Sequence, residues 1–368
     1  MHAMLAFAFL LATLLPVAVQ PQDQPRPRAR DLGITIGALP AGEHNAITDV
    51  DGVRVGHATL REGDTVRTGV TMVFAHGEDP FAAKVPAAVF VQNGYGKLMG
   101  STQVEELGEL ESPIALTNTL SVGAVADALV AMILKQPGNE SVRSVNVVVG
   151  ETNDGRLNDI RGQHVRALQV QQAWASAAAG KVAEGCVGAG TGTVCFGWKG
   201  GIGTASRRSG RFTVGVLVQT NFGGDLTIAG QRIAIPHPTP RRREDDERGS
   251  CMIVIATDAP LDARNLRRLA ARSMAGMARI GASFSNGSGD YAIAFSTAES
   301  LRIRDDGRAL TGAEVLRNEA MSPFFAAVAD ATEQAILDSL LRAETTRGVG
   351  GVTLEAVPID SVRRALGR

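Results

Sequence analysis

Short apolar runs dominate the first third of the chain. Gly52-Val-Arg-Val-Gly-His57 alternates, Gly69-Val-Thr-Met-Val-Phe74 is almost continuously apolar, and Ala87-Ala-Val-Phe-Val91 has the make-up of a buried strand. The period then changes. Val122, Val125, Leu129, Met132 and Ile133 keep helical spacing behind Asn118 or Thr119, either of which fits a cap, and predict a helix to about Lys135. A strand is expected at Val145–Val149, then a polar loop from Gly150 to Asp159, then a helix near Gly162–Ala179. Two glycine-rich stretches, Gly188–Gly192 and Lys199–Ala205, lead into a strand over Arg211–Thr220. A charged, proline-marked loop over Pro236–Arg248 precedes the apolar strand Cys251–Thr257. Asp258 and Pro260 fit the start of a helix to Ala278 with Leu266, Leu269 and Met277 inside, and Ser322-Pro323 fits the N-cap and first position of a last helix ending near Arg342. Strands and helices interleave without regular βαβ spacing, which points to a layered α+β sandwich rather than a doubly wound sheet.

Composition narrows the classes. With 44% hydrophobic residues in 368, the chain can bury a large core, as one large domain or two ordinary ones. The 37 basic and 38 acidic residues nearly cancel, so nucleic acid is not an expected partner. Met4–Leu15 is apolar and the length of a signal-peptide core, too short to span a membrane. Residues 1–20 are therefore expected to be a signal peptide of an exported protein with no stable membrane anchor, the alternative being a cytosolic protein with an apolar N-terminus, and residues 21–30 a disordered leader. Cys186, Cys195 and Cys251 are too few for a disulfide framework; Cys186 and Cys195 are near enough in sequence to pair, but buried free thiols are expected. His44, His57, His76, His164 and His237 are scattered, without HExxH or CxxC, so neither a metal nor a cofactor is expected. Gly188–Gly192 departs from GxGxxG spacing at Thr193, which favours turn and packing duty over dinucleotide binding.

The chemistry centres on Gly249-Ser250, between the charged loop and the strand. A serine hydroxyl is a weak nucleophile unless a base takes its proton. An N-terminal serine carries such a base in its own α-amine, which titrates near ~7.7–8.0. A self-cleaving hydrolase would expose that amine by cutting before Ser250, with glycine easing attack on the preceding carbonyl. The alternative is an ordinary loop-to-strand junction. Cys251, one residue along a strand, is expected to point away from Ser250.

Collinear segments decide between the two. Asp31-Leu-Gly-Ile-Thr-Ile-Gly37, Asn45–Asp49 and Gly52–His57 open the series. Glu151–Asp159, Gly188–Gly192, Lys199–Arg207, Asn221-Phe-Gly223, Gly249-Ser250, Thr257–Leu261 and Gly287-Ser-Gly-Asp290 continue it. Together they resemble the DmpA-type aminopeptidases, a family of L-aminopeptidase/D-esterases and β-peptidyl aminopeptidases. The resemblance implies an αββα four-layer sandwich of the N-terminal-nucleophile-hydrolase kind, as a single catalytic domain over 31–368. It also implies autoproteolysis into an α chain, 21–249, and a β chain, 250–368, assembled as a homo-oligomer of αβ heterodimers.

By the same resemblance Ser250 is the nucleophile, Asn221 holds the oxyanion, and Ser288 with Asp290 orients the nucleophile and its amine. Glu151 binds the substrate ammonium, and Asn153, where some relatives carry an aromatic residue, borders the acyl pocket. The implied reaction is release of N-terminal residues from short peptides, amides or esters through an acyl-enzyme, with L-, D- and β-residue preference open. Two alternatives are an acyltransferase of the ornithine acetyltransferase type, which uses threonine where Ser250 stands, and a non-catalytic exported peptide-binding protein. Residues of the required chemical type at 221, 250, 288 and 290 argue against the latter.

Overall fold

The computed structural model describes residues 26–235, 248–307 and 313–367. In chain order its two large sheets contain β1 (Arg54–Glu62), β2 (Val66–Phe74), β3 (Ala83–Gly94), β4 (Leu98–Met99), β5 (Glu109–Leu110) and β6 (Ile114–Asn118). They continue with β7 (Val148–Thr152), β8 (Ile202–Ser209), β9 (Phe212–Asn221), β10 (Arg248–Thr257), β11 (Gly287–Ser296) and β12 (Ile303–Arg304). The helices are α1 (Ser101–Leu107), α2 (Val122–Leu134), α3 (Ala167–Ala175), α4 (Ala263–Arg279), α5 (Ser322–Leu341) and α6 (Ile359–Ala365). One sheet runs β1-β2-β6-β7-β4; the other runs β8-β9-β10-β11-β3-β12, with β5 on β3.

Three apolar clusters fix the order of the layers. Val70, Met72, Ala115 and Val149 of the five-stranded sheet pack on Val125, Leu129 and Ile133 of α2 and on Val170 and Ala173 of α3. The opposite face of that sheet, with Val73, Ile114, Leu116 and Val148, meets Leu217, Met252, Val254 and Ile293 of the second sheet. The far face of the second sheet, with Val216, Ile253, Ile255 and Ala292, is covered by Leu266, Leu269 and Met277 of α4 and by Val328, Ile336 and Leu340 of α5. The result is the expected αββα sandwich. β10 lies between β9, antiparallel, and β11, parallel. Covered on both faces, it needs no polar side, which is why Cys251–Thr257 shows no hydrophobic alternation in the sequence.

Several boundaries move, each for a pairing or capping reason. β1 runs to Glu62 because it pairs with β2 along its whole length. β7 starts at Val148 and continues through Thr152, because its parallel pairing with β6 sets Glu151 opposite Thr117 and Thr152 opposite Asn118. Glu151 is thus a strand residue, not a loop residue. Asn118 caps a single turn, Thr119–Ser121, that leads into α2. α3 is shorter than the expected 162–179 helix. Asp262, not Asp258, caps α4, accepting from Asn265 N at 2.9 Å, while Asp258 accepts from Thr213 N at 2.7 Å. Met321 is the N-cap of α5, which puts Ser322 and Pro323 inside its first turn. The three cysteines are buried, and Cys186 and Cys195 form no disulfide.

The expected signal peptide lies outside the described residues, as does the charged loop apart from its last residue. Among the described residues no helix is long and apolar enough to cross a membrane. The expected disordered leader is corrected over residues 26–30. Arg26 donates to Leu341 O at 2.8 Å and Val357 O at 2.6 Å. Arg28 inserts between two buried carboxylates, at 3.0 Å from Glu184 and 3.2 Å from Asp338, and Asp338 also accepts Ala29 N at 2.6 Å. A run of arginines and prolines reads as solvated chain until the fold supplies buried acids for it to neutralise.

Removing one member of such a group strands charge in the interior. Arg28→Ala is expected to destabilise the protein by about 3–5 kcal/mol, read as a lowered midpoint in urea unfolding. An unchanged midpoint would mean that Glu184 and Asp338 do not depend on Arg28.

Candidate active site

Ser250 is the third residue of β10 and is buried. Antiparallel register sets Asn221, the last residue of β9, directly opposite it. Parallel register sets Gly289 of β11 on its other side and Ser288 beside Gly249. Three segments far apart in sequence thus meet at one end of the seven-stranded sheet. The Ser250 hydroxyl lies against the preceding carbonyl, with Oγ 2.5 Å from Gly249 O. Gly249 is a glycine for reasons of space: a Cβ there would meet Phe222 Cα at 3.0 Å and Phe222 Cβ at 3.1 Å.

Asn221 accepts the Val194 N–H on Oδ1 at 2.9 Å. That bond fixes the amide and makes its NH2 the donor end. Ser288 donates to Asp290 Oδ1 at 2.9 Å, and both residues are buried. Burial raises the Asp290 carboxyl to about 6, against the opposing pull of Ser288, Asn93 and the Cys251 backbone. Alternation gives the two faces different company. Ser250 shares the intersheet face with Met252 and Val254, whereas Cys251 and its register partner Asp290 share the helix-side face. Cys251 therefore points away from Ser250, as expected. The Ser288–Asp290 pair flanks the Gly249–Ser250 peptide from the helix side, next to a cleft bounded by Phe222, Gly223, Gly249 and Phe284.

Glu151 is buried at the end of β7. Its carboxylate accepts Lys97 N at 3.0 Å on Oε1 and the Thr119 hydroxyl on Oε2. Burial raises its pKa, with Thr119 and Lys97 opposing. The neighbouring β7 residue, Gly150, packs against the Met252 side chain, which brings Glu151 to the same end of the sandwich as Ser250. Asn153 is not drawn in with it. That residue is exposed, and its Oδ1 closes a turn on Gly155 N at 3.0 Å.

Two charged residues escaped the sequence reading. Lys199 is fully buried, its ammonium held by Gly190 O at 3.0 Å and Gly200 O at 2.8 Å. Asp154, three residues after Glu151, is buried as well, accepts from Asn158 at 3.0 Å, and is raised to about 7 by burial. Lys199 ties together the glycine-rich stretches that carry Val194 to Asn221. A lone lysine among glycines and apolar residues was the available signal. Among the described residues no cluster of metal-binding side chains occurs.

Comparison with known proteins adds identity to geometry. Residues 45–354 match peptidase family S58. The chain is 40% identical to the β-peptidyl aminopeptidase BapA of Sphingosinicella microcystinivorans, covering 100% of this chain and 98% of that protein. Among solved structures, a Burkholderia sp. β-aminopeptidase superimposes with a TM-score of 0.85 at 42% identity, over 93% of this chain and 98% of the other. The L-aminopeptidase D-Ala-esterase/amidase of Ochrobactrum anthropi, described as a prototype serine aminopeptidase and a variant of the Ntn hydrolase fold, gives 0.85 at 35% identity over 93% and 98%. This chain belongs to peptidase family S58 and has the Ntn-type sandwich of that family. It is a hydrolase of the aminopeptidase class.

The Asp290 shift has a measurable consequence. Its folded value of about 6 lies above the ~3.9 of an unfolded aspartate, so the folded state binds the extra proton. The stability this contributes is complete at low pH and is lost as pH rises through about 6. Asp290→Asn is expected to flatten that part of the melting-temperature profile; an unaltered profile would assign the titration elsewhere.

Proposed function

We propose that the chain is made as a precursor, cuts itself between Gly249 and Ser250, and then releases N-terminal residues, preferentially β-amino acids, from short peptides and amides. The observation that carries this reading is the Ser250 hydroxyl 2.5 Å from the Gly249 carbonyl oxygen. Attack of Oγ on that carbonyl carbon converts the amide to an ester and frees the Ser250 amine. Water then hydrolyses the ester, leaving a carboxylate on Gly249. The freed amine, with a reference pKa of ~7.7–8.0, suits a general base near neutral pH.

In turnover the Ser250 amine takes the hydroxyl proton while Oγ attacks the substrate carbonyl. The Asn221 NH2 group donates to the oxyanion, the leaving amine departs protonated, and water resolves the acyl-enzyme. The Ser288–Asp290 pair, in the strand beside Gly249 and Ser250, supports the freed amine as base. Glu151 pairs with the substrate ammonium, a cation that would be costly to bring unpaired into a buried site. The β preference rests on the curated relative and the Burkholderia structure, both named for activity on β-residues. The Ochrobactrum protein, named for L-aminopeptidase and D-esterase activity, supports α-residue release as the second reading. Export through the apolar Met4–Leu15 segment, and assembly of αβ units into a homo-oligomer, complete the proposal.

Denaturing gels and intact mass should show the wild type as two chains, with Ser250 as a new N-terminus. Ser250→Ala should remain one chain and be inactive. Asn221→Ala should lower kcat by about 10²–10³-fold. Full activity in an uncut wild-type chain would overturn the proposal. A panel of β-homoalanine, L-alanine and D-alanine p-nitroanilides separates the two substrate readings.

A further inference from the structure

Glu151 and Ser250 belong to different sheets, yet one short turn connects their surroundings. The Tyr95 N–H donates to Ser288 O, in the strand beside Ser250, at 3.2 Å. Two residues later the Lys97 N–H donates to Glu151 Oε1 at 3.0 Å. Gly96 N–H closes the turn onto Gly94 O at 3.0 Å. A span this short has little slack, since each residue reaches at most ~3.6 Å.

Tyr291 fills the space enclosed by that turn. It pairs in register with Met252 and lies in the same intersheet cluster, on the face that Ser250 shares, and it is buried. A Cβ on Gly96 would meet Glu151 Oε1 at 3.2 Å, Tyr291 Cε2 at 3.2 Å and the Tyr291 hydroxyl at 3.3 Å. A Cβ on Gly289, the residue beside Ser250, would meet Tyr95 O at 2.9 Å, Tyr291 Cε2 at 3.1 Å and Gly96 Cα at 3.2 Å. Neither glycine has a positive φ, so space alone is the constraint. The phenol is also electrostatically close to both acids of the site. Burial, then Glu151, then Asp290 raise its pKa, against a hydrogen bond with the Gly96 backbone.

We propose that the turn Tyr95–Lys97 and the Tyr291 side chain form a fixed spacer between Glu151 and the nucleophile strand, and that this spacer selects the backbone length of the residue released. The inference rests on Glu151 as the ammonium site. A β-amino acid carries one more carbon between amine and scissile carbonyl than an α-amino acid, a difference of one bond of ~1.5 Å. A site that holds the ammonium and the attacking oxygen at set positions discriminates on that scale, because misplacement by ~1 Å can cost about 10²-fold in rate. Tyr291 is a positioning residue in this account, since it acts through Glu151 and the turn.

Opposite shifts from two variants test the spacer. In Gly96→Ala the added methyl pushes the Glu151 carboxylate away from Tyr291 and the nucleophile strand. The ratio of kcat/KM for β-homoalanine p-nitroanilide to that for L-alanine p-nitroanilide is expected to rise about tenfold. In Tyr291→Phe the lost hydroxyl lets the carboxylate relax inward, and the same ratio is expected to fall about fivefold. Cleavage at Gly249–Ser250 and the melting temperature report folding in both. If Gly96→Ala does not fold, the Tyr291→Phe ratio decides alone. A ratio that stays constant, or moves the same way in both variants, overturns the spacer.

Glu151→Gln on the same substrates, with butyryl p-nitroanilide as the analogue lacking an amine, keeps the two ideas apart. A raised KM for the amine-bearing substrates only, with unmoved ratios in the spacer variants, rejects the spacer and leaves the ammonium site standing. An unchanged KM in Glu151→Gln rejects both.

Discussion

The register of β10 is the constraint from which the rest of the site follows. This strand is paired along both edges and covered on both faces, by the other sheet through Met252 and Val254 and by helices through Ile253 and Ile255. A slip of one residue would exchange the two faces, expelling each apolar set from its own layer. It would also turn the Ser250 side chain to the helix side and break its alignment with Asn221 and Gly289. Ser250 is placed by the packing of the strand that carries it. Packing energy spread over the sandwich thereby becomes positional accuracy at the strand end.

Polar groups collect where the sheets end, and burial sets their behaviour. Glu151, Asp154 and Asp290 all have raised pKa values with desolvation as the first cause. Each is retained because hydrogen-bond donors meet it: Lys97 and Thr119 at Glu151, Asn158 at Asp154, Ser288 at Asp290. Such carboxylates are costly to bury, so they mark work that an apolar residue could not do. Arg28 with Glu184 and Asp338, and Lys199 with its two carbonyls, are of another kind. They fasten the N-terminal segment and the glycine-rich loops to the body and are structural by position.

Much of the architecture was legible because its signals are local. The apolar runs at 69–74, 87–91 and 251–257 lie within strands, and the spacing from Val122 to Ile133 matches α2. Gly249-Ser250, Asn221 and Gly287–Asp290 could be listed from motifs in order along the chain. Boundaries shifted where a partner decided them, as when β6 extended β7 through Glu151 or when Asp262 displaced Asp258 as a cap. Residues 26–30 carry no local signal of order, because the acids that hold them come from positions 184 and 338.

By itself the sequence determined which residues have the chemistry of a serine aminopeptidase and which segments prefer strand or helix. Those are properties of composition, spacing and side-chain type. Tertiary structure alone decided which face each residue occupies, what neutralises each buried charge, and how far apart the two halves of the site stand. Tyr291 and Gly96 show the difference. One is a tyrosine in an apolar strand and the other a glycine in a turn, and neither carries a functional signal in sequence. Their importance comes from close contact between two sheets, set by a non-local register that no local pattern encodes.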